Sequence, residues 1–173
     1  MYERILVPID GSNTSLQGLD EALRLASLTH GRLLLVHIVD QLKYLTGYES
    51  AAVYMSDLLP YMQEAGEQIL RQGLERAQGA GISAETLVFT ALTERVADVV
   101  VRQANAWKAD LIVIGTHGRH GLGRVLLGSD AEQILRVAPV PVLLVRSKPV
   151  ASDKKAEPVP AAADALPRVS IAA

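Results

Sequence analysis

An α/β fold built on a five-stranded parallel sheet is predicted by three observations. Five short apolar runs lie near residues 3–9, 33–39, 84–90, 110–115 and 141–146. Their apolar character is continuous rather than alternating, which means burial on both faces. Segments with helical spacing separate them, and a glycine-rich loop follows the fourth run. Strands alternating with helices give βαβ units, and right-handed crossovers make the sheet doubly wound and Rossmann-like. The natural strand order is 3-2-1-4-5. It sets the topological switch between strands 1 and 4, where ligands of open α/β sheets bind.

The elements follow in order. Residues 3–9 form the first strand, which closes at Asp10-Gly11-Ser12. Asn13 or Thr14 is the expected cap of the next helix, where Leu16, Leu19, Leu23 and Ala26 recur at helical spacing until His30-Gly31. The run Leu33–Val39 is the second strand, with Ile38 at its end. Residues 40–56 show no period and contain Gly47, which reads as a long loop. Met62, Gly66, Ile69, Gly73 and Ala77 mark a second helix, stopped by Gly79-Ala80-Gly81. Its glycines weaken an isolated helix but suit close packing on a sheet. After strand 84–90, Val96, Val99, Val100 and Trp107 mark a third helix with its cap near Thr93. Strand 110–115, helix 129–137 and strand 141–146 complete the domain, residues 1–146.

From Ser147 onward Ala and Pro dominate, with Pro149, Pro158, Pro160 and Pro167 breaking any long helix or central strand. Residues 147–173 read as a disordered tail. Its removal is expected to leave the thermal melting curve of the protein close to that of the full chain. A large loss of stability on truncation would show that the tail packs on the domain.

Composition narrows the function classes. Of the 173 residues 49% are hydrophobic and 4% aromatic, so the core rests on Val, Leu, Ile and Ala. The net charge of −2 offers no basic surface for nucleic acid. With no cysteine, disulfides, thiolate catalysis and Cys-based metal sites are excluded together. His30, His37, His117 and His120 lack the spacing of a metal site. Met1-Tyr2-Glu3-Arg4 leads straight into a strand without a signal-peptide pattern, and no apolar run approaches the ~20 residues needed to cross a bilayer. The expectation is a cytoplasmic protein with neither a membrane nor a nucleic-acid partner.

The chemistry concentrates after the fourth strand. Gly115-Thr116-His117-Gly118, nine further residues, then Gly128-Ser129 link a strand to a helix start. Glycines let main-chain N–H groups approach an anion, and a helix N-terminus adds unpaired donors and partial positive charge. Arg119 and Arg124 supply cations. The spacing is neither the dinucleotide fingerprint nor a Walker loop. The Ser129 hydroxyl can cap the helix or bind a phosphate oxygen. Asp10, at the end of strand 1, can accept from an adenine amino group or a ribose hydroxyl; the plainer reading is a turn or cap carboxylate. Pro8 and Ile9 beside it offer backbone and apolar contact, or simple strand core. For His37 the plain reading is favoured, a buried and satisfied histidine.

Gly-x-x-Gly-x9-Gly-Ser, followed by Ala138-Pro139-Val140-Pro141-Val142-Leu143-Leu144-Val145, resembles the universal stress protein family in its ATP-binding branch. Arg4-Ile5-Leu6-Val7-Pro8-Ile9-Asp10-Gly11-Ser12 is similar to the family's opening strand, and the resemblance spans residues 1 to about 146. It implies binding of ATP, with any Mg²⁺ arriving on the phosphates, and a role as a stress-response regulator or sensor. It implies nucleotide contacts from Pro8, Ile9, Asp10, Ile38, Gly115, Gly118, Arg119, Gly128, Ser129 and Asp130. Ile38, after His37, would offer main-chain groups to adenine. It implies a homodimer through the last strand and an unidentified protein partner that reads the nucleotide state. Two positions depart from the family pattern. Asp130 replaces a small apolar residue or Thr and would repel a triphosphate if it faced inward. Ala91-Leu92-Thr93 replaces a Gly-x-Pro turn. No catalytic triad or second acidic cluster is evident, so at most weak ATP hydrolysis is expected. The alternatives are a slow ATPase or phosphotransferase, and a nucleotide-free dimeric interaction protein.

Overall fold

The computed structural model describes residues 1–40, 59–91, 93–116 and 128–146. The expected loop at 40–56, Gly118, Arg119, Arg124, His117, His120 and the tail at 147–173 lie outside the described residues, apart from Asp40. Five strands, β1 (Arg4–Pro8), β2 (Arg32–Asp40), β3 (Ala84–Ala91), β4 (Leu111–Gly115) and β5 (Val142–Val145), form one sheet. All neighbouring pairs are parallel, in the order β3-β2-β1-β4-β5. The helices α1 (Asn13–Thr29), α2 (Leu59–Gly79), α3 (Val96–Trp107) and α4 (Ser129–Val137) alternate with them.

Strand periodicity divides the core into two layers. Ile5 and Val7 of β1, and Ile9 just after it, face the side covered by α1 and α2, with Leu33, Leu35, Val113, Leu19 and Leu70. Leu6 of β1 faces the other side, with Leu34, Val36, Ile112 and Ile114, beneath Ala97, Val100 and Ala104 of α3 and Ala131 and Ile134 of α4. This two-sided burial is why the central strands β1, β2 and β4 carry apolar runs. The edge strand β5 is only half-buried at all four residues.

Helix starts differ from the expected caps. Ser12, not Asn13 or Thr14, is the N-cap of α1, and its Oγ accepts from the Ser15 N–H at 3.1 Å. The reason is the preceding turn: Gly11 adopts φ +78°, which leaves Ser12 extended at φ −68°, ψ 154°, the cap conformation. The N-cap of α3 is Arg95 rather than Thr93, and it makes no side-chain cap bond. Arg95 instead forks onto Asp98 through Nε at 2.8 Å and a terminal nitrogen at 3.0 Å. These hydrogen bonds hold the exposed Asp98 carboxyl below the usual carboxylate range. Asp98 also complements the positive end of α3. α4 starts at Ser129 itself, so Gly128 is its N-cap in place of Ser129. β2 runs two residues past Ile38 to Asp40, paired throughout with β3.

At the opposite pole of the sheet, Trp107 ties α3 to three strands. The guanidinium of Arg4 lies 4.4 Å and that of Arg32 5.6 Å from its ring centroid. Its indole N–H donates to Glu85 of β3 at 3.1 Å. Asp110 accepts from the backbone N–H groups of Glu3 and Arg4 at 2.9 and 3.1 Å, fastening the start of β1 to that of β4.

Candidate functional site

The crevice arises where β1 and β4 part. β1 pairs with β2 over five positions, Arg4 to Pro8, but with β4 only at Ile5 and Leu6. In a strand, alternate residues direct both backbone groups to the same neighbour. The Ile9 N–H donates to the Val36 carbonyl of β2 at 2.8 Å, so Pro8, one residue earlier, faces β4. Proline has no N–H with which to continue the ladder. The opening between the ends of β1 and β4 therefore has a local chemical cause, and it lies at the switch point of the sheet.

One wall of the opening is the turn after β1. The Asp10 Oδ1 accepts from the Ser12 N–H at 2.9 Å, and the Asp10 N–H donates to the Ser15 Oγ at 3.3 Å. The Ser15 hydroxyl in turn donates to the Ser12 carbonyl at 2.9 Å. Asp10 thus has the turn role, which holds its half-buried carboxylate at the rim. Ile9 is 2% exposed and belongs to the core under α1 and α2. Ile38 is half-buried, packs on the α3 and α4 side, and pairs with Phe89 of β3.

The other wall is the end of β4 and the start of α4. Thr116 is buried, at 6% exposure. Its N–H donates to the Val145 carbonyl at 2.9 Å, and its carbonyl accepts from the Gly128 N–H at 2.7 Å. The two ends of the glycine-rich segment are therefore pinned together, and α4 begins directly beside β4. Gly128 has φ −59° and ψ 146° and no side chain to cap the helix. The first-turn N–H groups of α4 thus receive no bond from the cap position, which suits an anion. Asp130 and Glu132 sit in that turn, where the helix dipole favours them. Ser129 is exposed.

Gly115 has a packing task as well. A Cβ there would lie 2.8 Å from the backbone C and O of Thr14, so this glycine lets the first turn of α1 rest on the end of β4. The strand order thus sets the end of β1, with Pro8 and Asp10, beside the end of β4 at Gly115, and the Thr116–Gly128 bond brings the start of α4, with Ser129 and Asp130, to that end of β4; Ile9 and Ile38 lie on the β2 side. Thr116 and Arg146 were not among the expected site residues. Parallel pairing of β5 with β4 carries Arg146 to the same rim as Thr116; its place just after the last apolar run was the available signal.

Among the described residues no group of three or more His, Asp or Glu side chains is placed to hold a metal ion. A groove of about 450 Å³, lined by Glu67, Leu70, Arg71, Leu74, Thr86 and Val88, lies between α2 and β3, two strands from the crevice.

An open, doubly wound parallel sheet with helices on both faces and its switch point between β1 and β4 defines a Rossmann-like α/β protein. The family model described as the universal stress protein family matches residues 1–146. The chain belongs to the universal stress protein family. It is 34% identical over 148 residues to a universal stress protein of Methanocaldococcus jannaschii, covering 84% of this chain and 83% of that one. A crystal structure from the family in Burkholderia pseudomallei is 33% identical, with a TM-score of 0.68, over 84% of this chain and 97% of that chain. A universal stress protein solved in complex with cAMP is 28% identical, with a TM-score of 0.57, over 84% of this chain and 97% of that chain.

Proposed function

We propose that this universal stress protein binds an adenine nucleotide, ATP in the first instance, in the β1–β4 crevice. It acts in the cytoplasm as a stress-response regulator or sensor rather than as an enzyme. The observation that carries the reading is the start of α4: a glycine cap pinned to Thr116 by a 2.7 Å hydrogen bond, with first-turn N–H groups that have no cap side chain. Phosphates are suited to that position, and Asp10 is suited to the nucleoside end. Gly118 and Arg119 would add to the phosphate side. Any Mg²⁺ would come on the nucleotide, held by phosphates and water. The cAMP complex of a relative supports the adenine class.

Calorimetric titration with ATP tests this. Gly128 has backbone angles open to any residue, so Gly128→Val is expected to fold and to lose affinity by on the order of 100-fold through blocked approach to the N–H groups. Unchanged affinity in the folded variant would remove the phosphate assignment.

We also infer a homodimer through β5. This edge strand is Val142, Leu143, Leu144 and Val145, none of them charged and all half-buried, and α4 leading into it exposes Leu135 and Val137. An apolar edge without charge invites pairing with a second copy across a two-fold axis. β3, the other edge, bears Glu85 and Thr86, both exposed. Val142→Lys with Leu144→Lys is expected to give monomer or insoluble protein in sedimentation. A soluble monomer from the unmodified chain at micromolar concentration would dispose of this interface.

A further inference from the structure

His37 is 8% exposed on β2, in register with Val88 of β3. A buried imidazole needs polar partners, and its Nδ1 lies 2.8 Å from the Ile9 carbonyl oxygen. A carbonyl only accepts, so Nδ1 carries the proton and donates. The Ile9 N–H already donates to the Val36 carbonyl of β2 at 2.8 Å. Ile9 is therefore fastened to β2 through both of its backbone groups, once by the strand ladder and once by a side chain. The second fastening lies beyond Pro8 and Val36, the last register pair of the two strands.

α2 keeps the ring there. A Cβ at Gly66 would stand 2.5 Å from the His37 Cδ2 and 3.1 Å from its Nε2, so the bare backbone of the helix lies against the imidazole. Two helical turns later, a Cβ at Gly73 would stand 3.0 Å from the Ile9 Cδ1. The same face of α2 presses on the ring and on the residue that the ring holds. Ile9 directly precedes Asp10, and Pro8 directly precedes Ile9. The bond from His37 thus acts on the residue that joins Pro8 to Asp10 on the β1 lip of the crevice.

We propose that His37 is a positioning residue of the nucleotide site: it locks Ile9 against β2, so that Pro8 and Asp10 stay parted from β4 and the crevice stays open at its adenine end. This rests on the nucleotide-binding reading above. A histidine with only a packing role would affect stability and leave ligand affinity alone.

The test uses the full chain, with ATP as the probe, and the wild type is titrated first. His37→Leu keeps bulk and removes the donor; loss of that hydrogen bond is expected to weaken ATP binding about tenfold. His37→Asn, whose amide nitrogen replaces Nδ1, is expected to stay within about threefold of wild type. Gly66→Ala improves helix propensity yet displaces the ring, and is expected to weaken binding as well. In protein carrying ¹⁵N-histidine, the His37 Nδ1 proton resonance is expected to shift on saturation with ATP. A folded His37→Leu variant with wild-type affinity overturns the inference, as does an Asn variant as weak as the Leu variant. If His37→Leu does not fold, unchanged affinity in Gly66→Ala with an unshifted resonance overturns it. A wild type that binds no adenine nucleotide removes the functional reading itself, and this inference with it.

Discussion

Gly115→Val is expected to destabilise the fold by about 3 kcal/mol or more, at the upper end of overpacking costs. The added Cβ would meet the backbone C and O of Thr14 at 2.8 Å and the Thr14 Cγ2 at 2.9 Å. Two of these three atoms are main chain, so no rotamer change relieves the clash. α1 has to lift from the end of β4, and the core beneath it, Leu19 and Ala22, lifts too. Urea unfolding monitored by circular dichroism gives the difference directly. Gly18 is the control on the other side of the same contact. A Cβ there would meet its nearest atom, the Gly115 nitrogen, at 3.4 Å, an ordinary contact. Gly18→Ala is therefore expected to stabilise by up to ~1 kcal/mol through helix propensity. A Gly115→Val protein as stable as wild type would show that α1 does not rest on β4 as described.

Trp107→Ala is expected to cost about 2–3 kcal/mol, less than for a fully buried tryptophan. The half-buried indole is covered by Arg4 and Arg32 and donates to Glu85 at 3.1 Å. Truncation removes apolar area, two cation–π contacts and that hydrogen bond together. The Arg4 Nε bond to the Trp107 carbonyl, at 2.7 Å, survives because it is made by the backbone. The affected cluster lies at the pole of the sheet away from the crevice, so affinity for nucleotide in the folded variant is expected to remain that of wild type. Chemical denaturation and ATP titration on the same preparation separate the two effects. A loss of affinity without a loss of stability would contradict this division of the molecule.

Much of the fold was legible because it depends on local pattern. Apolar runs specify the strands, buried on both faces in the central β1, β2 and β4, and the helical spacing of Leu19, Leu23 and Ala26 specifies a helix with one buried stripe. Strand order followed from handedness and short connections. Where the reading of α2 went astray, the cause was also local. Ile69 and Leu70 are adjacent and equally apolar, and the structure buries Leu70, at 4%, in line with Met62, Gly66, Gly73 and Ala77. Periodicity alone ranks the two poorly, since the sheet decides which face of the helix turns inward. Caps were misread by one to two residues because a cap is a backbone conformation: Ser12 and Gly128 are caps by their extended ψ angles, whatever the neighbouring side chains offer.

The site divides along the same line. The sequence by itself determined which segments meet at the switch point, because the order of apolar runs dictates which strand ends lie side by side. It also placed a donor-poor Pro8 at the end of the central strand and a glycine before the fourth helix. What each residue does there was decided by tertiary packing. Gly115 accommodates α1, Gly66 accommodates the His37 ring, and Asp10 turns its Oδ1 to the Ser12 N–H. The two glycine roles depend on close approach between segments far apart in the chain, where an added Cβ would come within about 3 Å of its neighbour, as at Gly115 against Thr14, and no spacing along one segment encodes them. Side-chain chemistry and period travel with the sequence, whereas close approach exists only once the layers of the sheet and its helices have packed.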